Sequence, residues 1–209
     1  MVNPFPGNCG NLVAMRIVAG KHRGRRIAAP EGHDVRPTSD RARESLFNIL
    51  QHGNFTSDGT SPLVAAHVLD VFAGSGALGL EALSRGAADL TCIENGAAAR
   101  AALRANVKAL GEAARVTVVQ ADATKPPTAA GPPCRLVLMD PPYRSGLAAP
   151  ALAALAERGW LAEGAICVVE ISAAESLEAP AGFTPLDERR YGKAKLVFLR
   201  YDVSGARPP

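Results

Sequence analysis

The sequence predicts an α/β fold: a mostly parallel sheet ending in an antiparallel hairpin, preceded by a small hairpin-and-helix extension. Three observations carry that expectation. Strand-like and helix-like patterns alternate steadily between residues 67 and 171, as they do in parallel sheets covered on both faces. A glycine-rich turn, Gly74-Ser75-Gly76-Ala77-Leu78-Gly79, joins the first of those strands to the first of those helices. Beyond residue 180 the helical pattern stops, and two strand patterns face each other across Gly192.

The elements follow in order. Residues 15–19 and 25–29 read as short strands around the basic turn Gly20-Lys21-His22-Arg23-Gly24. A helix comes next, with Ser39 or Asp40 as its N-cap. It carries Ala42, Leu46, Ile49 and Leu50 on one face and stops at Gly53. Residues 54–66 form a polar linker. Strands are then expected at 67–71, 90–94, 116–120, 136–139 and 165–171, with helices at 78–85, 97–110 and 147–158. The closing hairpin spans 183–191 and 195–201, and the Ala/Pro-rich stretch 123–133 is a loop. This divides the chain into a loose tail at 1–14, a basic extension at 15–53 and the main α/β domain at 54–209.

Length and composition bound the function. A chain of 209 residues with 47% apolar and 21% charged residues is expected to be one soluble domain. No stretch approaches ~18 consecutive apolar residues, so no membrane span is expected. The first fifteen residues carry no charge and scattered Gly and Pro, unlike a signal peptide. Cys9, Cys92, Cys134 and Cys167 show no C-x-x-C spacing, which predicts a reducing, cytoplasmic protein without disulfide or zinc. The net charge is +3, and its positive excess lies in one segment. Between Arg16 and Arg43 there are eight Lys or Arg against three acids. Beside a domain that handles a base, such a segment reads as a footprint for phosphate.

Asp140-Pro141-Pro142-Tyr143 is the most informative stretch. It follows the apolar run 136–139, so it sits at the carboxyl end of a strand, where open α/β sheets bind ligands. A carboxylate, a stiff turn that aims a carbonyl outward and an aromatic ring suit a planar base with an exocyclic amine. Upstream, Gly74, Gly76 and Gly79 satisfy G-x-G-x-x-G between a strand and a helix. Glu94 ends the next strand, where it can accept both hydroxyls of a ribose. Asp122, past the third strand, is placed to meet an adenine amino group. Either NAD or S-adenosylmethionine would supply that adenosine. Asp70 separates the two, because it would repel a pyrophosphate at the helix N-terminus but can pair with an ammonium.

These residues resemble a known family. Arg16-Ile17-Val18-Ala19-Gly20 with Gly24-Arg25-Arg26, then Arg36-Pro37-Thr38 and the run from Asp40 to Asn48, look like the N-terminal signature of the RsmD-type ribosomal RNA methyltransferases. The run from Asp70 to Gly86 and Asp140-Pro141-Pro142-Tyr143 continue it. The resemblance extends from about residue 15 to 201. It implies a class I S-adenosylmethionine-dependent methyltransferase, with its catalytic domain at 54–209. The activity implied is transfer of one methyl to the N2 amine of a guanine in small-subunit (16S) ribosomal RNA, within assembled or assembling subunits. It further implies catalysis by Asp140, Pro141, Pro142 and Tyr143. The cofactor is expected on Asp70, Phe72, Ala73, Gly74, Ser75, Gly76, Glu94, Asn95, Asp122 and Ala123, with Arg36 and Thr38 on either cofactor or RNA. Asn95-Gly96 departs from the bulkier pair more frequent in the family, and the tail before Met15 has no counterpart there.

For RNA, the expected contacts are Arg16, Lys21, Arg23, Arg25, Arg26, Arg41 and Arg43. No metal ligand set is visible, and a monomer is expected. His22 and His33 read as solvated, and Trp160 as a cap on the core. Three other functions compete. An adenine-N6 or cytosine-N4 nucleic-acid methyltransferase shares the DPPY logic, but a sequence-reading DNA enzyme needs a recognition module for which 209 residues leave no room. An NAD-dependent oxidoreductase shares the glycine turn. Against an idle RNA-binding module stand Asp140 and Glu94.

Overall fold

The computed structural model describes residues 15–29, 40–53, 55 and 59–203. The expectations for the tail with Cys9, for His33, Arg36, Thr38 and Ser39, and for the side chains of Asp40 and Arg41 lie outside the described residues. Strands β1 (Met15–Arg16) and β2 (Arg26–Ile27) pair antiparallel as the expected hairpin, and α1 spans Asp40–His52. The main sheet then alternates as β3 (His67–Val71), α2 (Ala77–Ser84), β4 (Asp89–Ile93), α3 (Ala97–Leu110) and β5 (Val116–Val119). It continues with β6 (Cys134–Met139), α4 (Ala148–Glu157), β7 (Leu161–Ser172), β8 (Phe183–Tyr191) and β9 (Ala194–Tyr201). Among the described residues no helix is long and apolar enough to cross a membrane.

Seven strands lie in the order β5–β4–β3–β6–β7–β9–β8. The first five run parallel, and β9 enters antiparallel between β7 and β8. Strand β7 begins four residues before its expected start, because Leu161 pairs with Cys134 ahead of a register shift. Gly164, at φ 73°, supplies the backbone conformation for that irregularity. The helices divide unequally. Leu46 and Phe47 of α1, Leu80 and Leu83 of α2, and Leu103 and Val107 of α3 cover one face of the sheet. Ala151, Leu152 and Leu155 of α4 cover the other, joined by Trp160, whose indole N–H donates to the Pro127 carbonyl at 2.8 Å.

The N-terminal extension is no loose appendage. Ile17 and Ile27 are buried in the same core as Val68 and Leu80. Polar pins fix it there. Glu81, fully buried in α2, accepts the N–H groups of Val18 at 2.7 Å and Ala19 at 3.0 Å, and the Arg85 guanidinium at 2.7 Å. Asn106 of α3 accepts the Ala28 N–H and donates to the carbonyls of Ala28 and Ser75, so one amide joins the hairpin to the glycine turn.

Two sequence expectations are corrected here. Arg43, expected on RNA, is 1% exposed; its guanidinium donates to the Arg16 carbonyl and faces Glu81 at 3.9 Å. It therefore holds the extension to the core and cannot reach a phosphate outside. His22, expected in solvent, is buried with its ring against Glu112. A histidine flanked by Lys21 and Arg23 looks solvated until a carboxylate ninety residues later is brought to it.

Candidate active site

Register builds the site. Asp70 on β3 lies opposite Cys92 on β4 and Leu138 on β6, and Leu138 lies opposite Val168 on β7. Each of those partners points to the face covered by α1, α2 and α3. Two residues further along each strand come Glu94, Asp140 and Glu170, which strand alternation returns to that face. Four adjacent parallel strands thus place carboxylates in one row at their carboxyl ends, with Asp70 one step beneath.

Asp70 is 1% exposed, and its carboxylate accepts the Gly79 N–H at 2.9 Å. Burial pushes it up to about 8, against the pull of that hydrogen bond and helped by the charge of Glu94. Enclosure of its carboxyl drives Asp140 well above the ordinary range, and the charges of Glu170 and Asp70 drive it further. No Lys, Arg or His forms an ion pair with Asp70 or Asp140 among the described residues. Glu94 bridges two loops: its oxygens accept the N–H of Gly74 at 2.8 Å and of Gly96 at 2.6 Å. An ionised carboxylate has about four acceptor positions, so both oxygens retain capacity for ribose hydroxyls.

The glycines divide by task. A Cβ on Gly76 would meet the Leu103 side chain at 2.3 Å, and one on Gly79 would meet Leu90 at 2.6 Å, so both serve close packing. Gly74, at φ 57°, would meet only the Phe72 carbonyl at 3.9 Å, so its backbone faces open space. Phe72 itself has φ 59°, and Arg144 after the DPPY turn has φ 57°. Such backbone costs about 1–3 kcal/mol in a non-glycine residue and collects at functional loops. Asp122 is exposed and lowered by the Thr124 backbone N–H and hydroxyl, both on Oδ1. Asn95 is exposed, with its carbonyl taken by Arg100. Ala73, Ser75 and Ala123 are buried; the Ala73 N–H donates to the Ile93 carbonyl, and the carbonyls of Ala73 and Ser75 accept from the Gly76 N–H and the Asn106 amide.

Pro141 is buried, while Pro142 and Tyr143 are exposed. The Tyr143 hydroxyl donates to Glu170 at 3.0 Å, and Glu170 is buried. Sequence reasoning missed Glu170. Its signal was a lone acid inside Val168-Val169-Glu170-Ile171, a place where a charge needs a partner or a task. The structure brings Asp70, Glu94, Asp140 and Tyr143 together. It does not bring the hairpin turn to them. The Lys21 N–H donates to the Ser84 carbonyl, and His22 and Lys21 reach Glu112, beyond the far ends of α2 and α3. The fourteen-residue α3 separates that turn from the carboxylate row by roughly 20 Å.

The family model described as Cons_hypoth95, conserved hypothetical protein 95, matches residues 15–200. This chain belongs to that family. The RsmD-type resemblance read from the sequence is the same one. The chain is 38% identical over 192 residues to Ribosomal RNA small subunit methyltransferase D of Escherichia coli K12, covering 91% of this chain and 92% of the relative. It is 35% identical over 182 residues to the Haemophilus influenzae protein of the same name, covering 85% and 89%. The solved structure of yhhF from Escherichia coli superposes with a TM-score of 0.74 at 37% identity, covering 90% of this chain and 98% of that one. The Cons_hypoth95 chain described here has the class I methyltransferase fold, with its antiparallel β9 inserted beside β7.

Proposed function

We propose that this chain transfers a methyl group from S-adenosylmethionine to the exocyclic N2 amine of a guanine in small-subunit ribosomal RNA. The carboxylate row carries the reading. Asp70 and Asp140 pair with no cation among the described residues, and a ligand bearing an ammonium and a sulfonium would relieve the cost of their charge. The pyrophosphate of NAD would add like charge at the same place. The donor set therefore fits S-adenosylmethionine: Glu94 for the ribose, Asp122 for the adenine amine, and the backbone of residues 72–76 above Asp70 for the amino acid half. Arg36 and Thr38 belong in this proposal on the cofactor or on RNA. The name of the 38% identical relative supports ribosomal RNA as substrate. A cytoplasmic monomer acting on assembled or assembling subunits completes the reading.

Bound S-adenosylmethionine supplies an electrophilic methyl group. The chain's own residues present the amine. Asp140 and the Pro141 carbonyl accept its two N–H bonds, which turns the nitrogen lone pair outward and stabilises positive charge there. The raised proton affinity of Asp140 suits it to take up the proton that the methylated amine sheds. The Tyr143 ring stacks on the base, and Glu170 holds its hydroxyl. Much of the acceleration then comes from position.

The test is to incubate the protein and labelled S-adenosylmethionine with unmethylated small subunits, naked ribosomal RNA or DNA. Digestion should yield N2-methylguanosine from the subunits. Label recovered in methyladenosine, methylcytidine or DNA would overturn the assignment. S-adenosylmethionine should also raise the melting temperature while NAD leaves it unchanged.

A further inference from the structure

Resting on that RNA-methylating reading, we propose that Arg144, Arg190 and Lys193 form the rim that holds the RNA backbone flanking the target base. Topology brings them to the catalytic end of the sheet. Because β9 runs antiparallel to β7, Ala194 pairs with Ser172, and the Ala173 N–H donates to the Lys193 carbonyl at 2.9 Å. Arg190 pairs with Lys195 on the same hairpin. Glu175 links this edge to the DPPY loop. One of its oxygens accepts the Arg144 N–H at 2.9 Å and the other accepts the Ser172 N–H at 3.0 Å. Two hydrogen bonds on one carboxylate therefore connect the residue after Tyr143 to the strand end beside Lys193.

Charge on this rim is uncommitted. Arg144, Arg190 and Lys193 are exposed, and none makes an ion pair or side-chain hydrogen bond among the described residues. Neighbouring acids are engaged: Glu188 with Lys195 at 3.1 Å, Asp187 with Arg189 at 2.8 Å, and Glu175 with backbone. Glu178 instead lines a hollow of about 270 Å³ with Pro142, Leu147 and Ile171. At the N-terminal hairpin the balance differs. Lys21 is paired with Glu112, and Arg25 donates to the Ala109 carbonyl, at the end of the helices away from the site. A nucleotide drawn out of its stack has its two flanking phosphates beside the pocket mouth. Arg144 follows the DPPY turn, and Arg190 and Lys193 lie on the hairpin that borders the carboxyl end of β7, at that same end of the sheet, whereas the turn of the N-terminal hairpin lies at the other.

The experiment compares two triple variants, R144Q/R190Q/K193Q and K21Q/R23Q/R25Q, with the parent. Affinity for unmethylated small subunits is measured at several salt concentrations, with S-adenosylmethionine affinity by calorimetry alongside. The rim variant should flatten the dependence of log affinity on log salt by about 0.7–0.9 per lost contact, about 2.1–2.7 for the three, and leave cofactor affinity unchanged. The hairpin variant should keep the parental slope. A parental slope in the rim variant, or a loss of affinity without a change of slope, overturns the proposal. A flattened slope in the hairpin variant alone moves the clamp to the hairpin and overturns it too. If R144Q/R190Q/K193Q fails to fold, R190Q/K193Q answers the same question with a change of about 1.5. Failure of the underlying reading looks different, because the parent itself would then neither methylate RNA nor bind it in a salt-dependent way.

Discussion

At the end of the sheet where α2 and α3 stop, Glu112 is 3% exposed; at the opposite end, Asp70 is 1% exposed. Burial acts on both in the same direction, yet the outcomes diverge. Around Glu112 it is outweighed by hydrogen bonds from His22, Arg115 and Lys21 and by the charge of Arg115, which hold the carboxyl at about 2. Around Asp70 a single hydrogen bond from Gly79 does not outweigh it, and the carboxyl stands at about 8. Glu81 belongs with Glu112, since its buried charge meets two N–H groups and Arg85. Asp140 belongs with Asp70: it pairs with no cation among the described residues, and the charges of Glu170 and Asp70 raise it further. A buried acid that its neighbours satisfy holds structure together, whereas one without a cation beside it among the described residues is a candidate for a ligand.

The largest effect that sharpens this contrast is at Glu81. Glu81→Ala leaves the half-buried Val18 and Ala19 N–H groups without their acceptor and removes the counter-charge of the buried Arg85, which should destabilise by about 3–5 kcal/mol. Urea unfolding should show it as a lower midpoint, with loss of the hairpin's protection from proteolysis. An unfolding free energy within about 0.5 kcal/mol of the parent would mean that the extension is not pinned through this residue.

Asp140→Asn should do the reverse. Turnover should fall by roughly 10²-fold or more, because a positioned group acting on developing charge is lost. Stability of the ligand-free protein should hold or rise, since one member of a like-charged row has been removed. S-adenosylmethionine affinity should stay within a few-fold. Coincident loss of turnover and stability would place Asp140 with the structural acids.

The two ends should also separate by pH. Glu112 has a folded value below its ordinary 4.5, so its stabilisation is present above 4.5 and lost as the pH falls towards about 2. Asp70 has a folded value above its ordinary 3.8, so its contribution is full below 3.8 and lost as the pH rises through about 8. Melting temperatures from pH 2 to 9 should therefore show Glu112→Gln flattening only the acid limb and Asp70→Asn only the limb between about 4 and 8. The same limb flattened in both variants would erase the distinction.

What the sequence disclosed follows from how local each signal is. Strand β3 and helix α3 occupy the expected bounds, because an apolar run and a capped 3.6-residue pattern are decided by neighbouring residues. Asp70, Glu94 and Asp140 were legible since each ends a strand in an alternating α/β pattern, where ligands bind. Glu81, Asn106 and Glu112 were not, for their partners lie 62 to 90 residues away and only packing introduces them. The basic hairpin was legible as charge but not as destination. Nothing in Gly20-Lys21-His22-Arg23-Gly24 states that its turn meets the carboxyl end of α2.

The smallest effect probes Tyr143 and Glu170, where the two kinds of acid meet. Glu170 is buried and hydrogen-bonded like a structural acid, yet its charge raises Asp140. Its two tasks should come apart. Tyr143→Phe loses the hydroxyl anchor but keeps the ring, so turnover should drop on the order of tenfold, about 1.4 kcal/mol, with an unchanged pH profile. Glu170→Gln keeps an acceptor for the hydroxyl but removes the charge beside Asp140. The limb on which Asp140 loses its proton should then move to lower pH, while turnover on the plateau stays near that of the parent. Single-turnover rates across pH for both variants read the two effects separately. A shifted limb in Tyr143→Phe, or an unshifted one in Glu170→Gln, would show that Glu170 acts on the base only through the ring it holds.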